Sequence, residues 1–188
     1  METGPDAATC RNTETESFDG PILGLTAPGE LTEEQTDAYF MRAALKLAAE
    51  AAAEGEVPVG ALIVHNGSVI ACGRNRRELG KNALSHAELE AIDAACRTLG
   101  GWRLPRCTLY VTLEPCPMCA GAVINARIDR LVYGAADPKA GCAGSVTDLF
   151  AFPFNWKPTV VGGVLEEACA GCLSSFFRGL RQNMKKGL

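Results

Sequence analysis

The chain has 188 residues, 47% hydrophobic and 21% charged, which suits a single folded domain with a full core. No apolar run approaches the ~18 residues of a membrane span, and the acidic N-terminus lacks the apolar stretch of a secretory signal. No membrane association is therefore expected, and the cytoplasm is the expected compartment. The net charge of −4 is unevenly spread: residues 1–37 hold one basic and nine acidic side chains, net −8, and residues 38–188 hold 17 basic and 13 acidic, net +4. The basic excess culminates in Arg178, Arg181, Lys185 and Lys186, which fits an anionic ligand.

Residues 1–30 are rich in Thr, Glu, Gly, Pro and Asp and read as a disordered acidic leader, with the folded domain spanning 31–188. Thr32-Glu33-Glu34-Gln35 has the pattern of a capping box. The Ala-rich run from Tyr39 to Glu54 follows, with Phe40, Ala44, Leu47 and Ala51 on one face, and predicts the first helix. Val57 to Val64 and Val69 to Cys72, joined through Asn66-Gly67, predict a β-hairpin, with His65 at the surface beside the turn. A loop carrying Asn75, Gly80 and Asn82 leads to a helix from near His86 to Leu99, with Ser85 as its cap and Leu89, Ile92 and Cys96 facing the core. Cys107 to Leu113 predicts a strand, and Pro117 opens a helix over Met118 to Ala126. Ile128 to Tyr133 predicts a fourth strand, Asp137 to Ser145 a Gly-rich loop, Thr159 to Val161 a fifth strand, and Leu165 to Met184 a last helix. A hairpin followed by strands alternating with helices predicts an α/β fold with a mixed five-stranded sheet and helices on both faces.

Two short stretches carry the chemistry. His86-Ala87-Glu88 offers an imidazole and, two residues on, a carboxylate; Pro115-Cys116-Pro117-Met118-Cys119 offers two thiols that can reach one metal from the start of a helix. His86, Cys116 and Cys119 give Zn²⁺ three ligands of the types it favours and leave a fourth position for water, the pattern of a catalytic rather than a structural site. Glu88 is then the proton carrier, because zinc makes its bound water acidic near pH 7 and a carboxylate can take the released proton. Both stretches open helices, whose positive N-terminal ends favour thiolates. The other seven cysteines, Cys10, Cys72, Cys96, Cys107, Cys142, Cys169 and Cys172, are expected to be reduced and mostly buried. Cys169-Ala170-Gly171-Cys172 has no companion pair and reads as small residues within a helix rather than as a second metal site.

The order H-A-E, then P-C-x-x-C, resembles the signature of the zinc nucleobase deaminases. From about Tyr39 to Gln182 the sequence is similar to the bacterial-type tRNA-specific adenosine deaminases of the cytidine-deaminase-like superfamily. The matches are Glu56-Val57-Pro58-Val59-Gly60-Ala61, Thr112 to Ala122 around the thiols, the loop Asp137 to Ser145, and Ser175-Phe176-Phe177-Arg178. The last two separate this branch from deaminases of small molecules. Pro138 departs from the family, which has Ala there, and the leader has no counterpart.

The resemblance implies a three-layer α/β/α sandwich acting as a homodimer, one zinc per chain, and hydrolysis of the wobble adenosine of a tRNA anticodon stem-loop to inosine. It implies that the base is splayed into a pocket over the zinc, that activated water attacks carbon 6, and that Glu88 carries protons to ring nitrogen 1 and the departing amine. It assigns Asn75 and the backbone N–H of Ala87 to the flipped nucleoside, Asp137 and Lys139 to the anticodon loop, and Phe176 and Arg178 to the RNA. Plain readings stand beside several of these: Asn75 as a turn or helix cap, Lys139 and the basic tail as solvated surface, and one of Phe176 and Phe177 as helix packing. Two other functions compete. A deaminase of a free base or nucleoside, of guanine or cytosine type, would carry the same zinc motifs; a non-catalytic zinc module would have no need of Glu88.

Overall fold

The computed structural model describes residues 20–186. Its order is α1 (Glu33–Ala53), β1 (Gly60–His65), β2 (Ser68–Arg74), α2 (Arg77–Gly80), α3 (Ala87–Leu99), β3 (Cys107–Leu113), α4 (Pro117–Ala126), β4 (Arg130–Ala135), a 3-10 turn at Leu149–Ala151, β5 (Thr159–Val161) and α5 (Glu166–Lys186). The five strands form one sheet in the order β2-β1-β3-β4-β5. β1 is antiparallel to both β2 and β3, whereas β3, β4 and β5 run parallel.

Alternation along the strands sorts the core into two halves. Ala61, Ile63, Leu109, Val111 and Leu131 face one way, onto Ala87, Ala91 and Ala95 of α3 and Ala120, Val123 and Ile124 of α4. Leu62, Val64, Tyr110 and Val132 face the other, onto Phe40, Ala44 and Leu47 of α1 and Cys169 and Cys172 of α5. The result is the expected α/β/α sandwich. Successive strand residues point to opposite sides, so a strand covered on both faces reads as a continuous apolar run.

The local signals act as their chemistry requires. Thr32 and Gln35 exchange both hydrogen bonds of the capping box, so α1 starts at Glu33, six residues before the apolar run. Asn66 and Gly67, with φ of 50° and 79°, make the hairpin turn. Asp37, buried in α1, accepts from the Tyr110 hydroxyl at 2.8 Å and from both terminal nitrogens of Arg130 at 2.7 and 2.6 Å, tying α1 to β3 and β4.

Several expectations are corrected. The leader does not extend to residue 30: Ile22 is buried, Gly24 donates to Val69, Val69 donates back to Leu25, and Thr26 bridges Ser68. An exposed sheet edge with free N–H and C=O groups recruits a nearby apolar segment, and β2 is such an edge. The remainder of the predicted leader, residues 1–19, lies outside the described residues. The loop after β2 contains the helical turn α2, and β4 begins and ends two residues later than expected. His86, not Ser85, is the N-cap of α3, and α3 buries Ala87, Glu88, Ala91, Ile92 and Ala95, leaving Leu89 and Cys96 half-buried. Small residues turn inward there because the helix backbone lies directly on β2. A Cβ on Gly73 would stand 2.2 Å from the Ala87 carbonyl and 2.6 Å from the Ala91 nitrogen.

Candidate active site

That close contact fixes the first turn of α3, which carries two of the predicted functional groups. His86 sits at the N-cap with its ring half-buried. Its Nδ1 lies 3.7 Å from Cys116 Sγ and 3.6 Å from Cys119 Sγ. Cys116 is the N-cap of α4, Pro117 opens that helix with a φ suited to it, and Cys119 follows within the first turn, buried. All three donor atoms lie within 4.8 Å of one another.

These spacings are those of ligands rather than of a packed core. Tetrahedral bonds of about 2.3 Å to sulfur and 2.0 Å to nitrogen set N and S about 3.5 Å apart, close to the distances seen here. The donor set, one imidazole and two thiols, suits a borderline-soft divalent ion. The hydrogen bond from Cys119 is the largest of the effects that bring Cys116 down to about 4, with His86 assisting. Cys119 is pushed up by its bond to that thiolate and by burial. His86 is raised, chiefly by its hydrogen bond with Cys116. The cluster is built to hold negative charge on sulfur.

Glu88 is 4% exposed, the second residue of α3. Burial raises its pKa, opposed by its own backbone N–H and by the His86 charge. A carboxyl that holds its proton more firmly than an exposed glutamate, next to a metal-type cluster, has the properties of a general acid–base. Ala87, between the two, is fully buried, and as the first residue of α3 its N–H has no acceptor within the helix.

Asn75 follows β2 and is 5% exposed. Its side chain caps no helix: Nδ2 donates to Glu56 Oε2 at 2.9 Å, and its backbone N–H donates to Val59. Its neighbour Arg76 donates to the carbonyl of Ser85, beside His86. Glu56 is itself buried and also accepts from the Leu79 N–H of α2 at 2.7 Å, so it fixes which way the Asn75 amide points. No role was read for Glu56 from the sequence. A lone acidic residue at the head of an apolar β-branched run was the available signal, since it is buried only if something pairs with it.

Asp137 Oδ1 accepts from the N–H groups of Lys139 and Ala140, which shapes the loop. One of the sequence-based assignments is corrected. Phe176 is 6% exposed and serves the core, whereas Phe177 is 40% exposed. Lys139 and Arg178 are exposed. A second residue missed from sequence is Glu114, 2% exposed, whose carboxylate collects N–H groups from the same loop. Burial works against its charge, but the Ser145 hydroxyl and the amides of Asp137, Ser145 and Ala143 outweigh that and hold its pKa below the usual range.

Comparison with known proteins agrees with this geometry. Residues 34–181 match the family of MafB19-like deaminases. The chain is 52% identical over 150 residues to a tRNA-specific adenosine deaminase of Bacillus subtilis, covering 79% of this chain and 93% of that protein. A solved structure from work on A-to-I editing by tRNA:A34 deaminases at the wobble position superposes with a TM-score of 0.70 at 46% identity, over 72% of this chain and 99% of that one. A guanine deaminase from Bacillus subtilis superposes less closely, with a TM-score of 0.53 at 39% identity over 64% of this chain and 74% of that one. The metal-type cluster, the buried carboxylate beside it and these matches have one reading: the chain belongs to the tRNA-specific adenosine deaminases, within the MafB19-like deaminase family.

Proposed function

We propose that this chain hydrolyses the wobble adenosine of a tRNA anticodon stem-loop to inosine, releasing ammonia, with one zinc ion per chain. The observation that carries it is the buried Glu88 two residues from a ligand in the His86, Cys116, Cys119 cluster, in a chain 52% identical to a tRNA-specific adenosine deaminase. His86, Cys116 and Cys119 hold the zinc, and zinc when bound supplies a Lewis acid that makes its water acidic near neutral pH. Glu88 takes the proton of the attacking water. It delivers protons to ring nitrogen 1 and to the amine leaving carbon 6, so that adenosine and water become inosine and ammonia. The Ala87 N–H holds the base edge. Asn75, oriented by Glu56, holds the nucleoside. The base must leave its stack to reach them, which favours a single-stranded loop as substrate.

Lys139, Arg178 and Phe177 supply RNA contacts. Lys139 and Arg178 are exposed cations suited to phosphate, and Phe177 offers a stacking face in place of the buried Phe176. The functional unit is a homodimer. Its support is the exposed aromatic pair Phe152 and Phe154, 50% and 47% exposed, with ring centroids 6.1 Å apart. The compartment is the cytoplasm. In its favour, all eight described cysteines are free, and no helix among the described residues is long and apolar enough to cross a membrane. The test is parallel incubation of the zinc-loaded protein with an anticodon stem-loop, adenosine, cytidine and guanine, following ammonia. Release from the stem-loop alone is expected. Release from a free base or nucleoside at comparable efficiency would transfer the function to small-molecule deamination.

A further inference from the structure

We infer that Glu114 is a positioning residue for RNA recognition, tying the loop 137–145 to the link between β3 and α4 that leads into the zinc thiols. This rests on the reading of that loop as an anticodon-loop contact. Glu114 directly follows β3 and directly precedes Pro115-Cys116. Its Oε2 accepts from the Asp137 N–H at 3.0 Å and from the Ser145 hydroxyl. Its Oε1 accepts from Ala143 N–H at 2.8 Å and Ser145 N–H at 3.1 Å. Both ends of the loop therefore close on one carboxylate. The middle is fixed by contact: a Cβ on Gly141 would lie 2.3 Å from Oε2. Cys142 N–H adds a bond to the Pro115 carbonyl at 2.8 Å, and Glu114 N–H holds the end of β4 through Ala135 at 2.8 Å.

Two residues on either side of Pro115 thus set two things at once. Glu114 shapes the loop that presents Lys139, and Cys116 binds the metal. A carboxylate is the group for this task because both oxygens only accept, and four donors converge on them. A glutamine of the same shape offers one acceptor oxygen and turns two N–H donors toward the loop's own donors. The loop then loses its shape while the metal ligands keep theirs.

The experiment compares wild type with Glu114→Gln, Gly141→Ala and Ser145→Ala, measuring zinc content, melting temperature, and kcat and KM on an anticodon stem-loop. Glu114→Gln and Gly141→Ala should keep one zinc per chain. They should raise KM about ten- to a hundredfold, the scale of an unsatisfied buried group, with kcat changed about threefold or less. A variant combining Glu114→Gln and Gly141→Ala should be no worse than the more severe single one, because both changes break the same contact. Ser145→Ala, which removes one hydroxyl, should raise KM about two- to fivefold. It decides the matter if the other two do not fold. Unchanged KM in the folded variants overturns the proposal. So does a fall in zinc content that accounts for the loss of activity, which would make Glu114 a prop of the metal centre. A wild-type protein that fails to turn over the stem-loop overturns the functional reading itself, an outcome distinct from both.

Discussion

Glu88 is kept from solvent at a helix start, two residues after a histidine whose Nδ1 stands 3.6 and 3.7 Å from two thiols. Its backbone position is fixed by α3 and its pKa is raised by burial, so its carboxyl can hold and release a proton without leaving its place. None of the three donor atoms of the metal cluster belongs to it. Glu88→Ala is therefore expected to retain the full complement of zinc and near-native stem-loop affinity. Turnover should fall by about 10²–10⁴-fold or more, since one group serves several proton transfers. Metal analysis, binding and ammonia release on the same preparation check this. Loss of zinc from the variant would make the carboxylate part of the metal's support.

At the level of helices and strands, the site depends on how closely α3 lies on β2. Gly73→Ala puts a methyl group into the backbone of the first turn of α3, against Ala87 and Ala91. Overpacking of this kind costs about 1–3 kcal/mol. The shift it forces should be felt at His86 and Glu88, so turnover is expected to fall by more than stability does. Denaturant unfolding alongside kcat measures both. Gly73 lies one residue past the strand expected over Val69 to Cys72, and its role is not legible there because the helix it meets comes later in the chain. The same limit explains what the sequence could and could not supply. The Asn66-Gly67 turn, the Thr32–Gln35 box and the Cys116-Pro117-Met118-Cys119 opening of α4 are local, so their residues carry their own instructions. The choice between Phe176 and Phe177 is not local: neighbours on a helix point different ways, and only the packed sheet says which is inside. Glu56 and Glu114 were visible as motif letters, but their roles lie in partners 19 to 31 residues away. The ordered segment around Ile22 escaped for the same reason, since its partner is the free edge of β2.

The whole molecule separates charge along its sequence, with −8 in residues 1–37 and +4 in the remainder. An anionic substrate should meet the second part. Removal of residues 1–19, which carry Arg11 and five acidic side chains, is expected to leave stem-loop turnover within about twofold at physiological salt. Arg178→Ala, by contrast, should weaken binding and reduce the slope of log affinity against log salt by about 0.7, the value for one phosphate contact on a single strand. A slope unchanged by Arg178→Ala would remove that arginine from the interface. The homodimer is tested by light scattering at working concentrations, where an active monomer would contradict it. The most direct measurement is sequencing of a purified tRNA pool before and after incubation with the zinc-loaded protein, inosine being read as guanosine. Conversion of adenosine at the wobble position, and its absence with Glu88→Ala, is the expected result. An unconverted wobble adenosine in every tRNA, with zinc fully bound, would contradict the account.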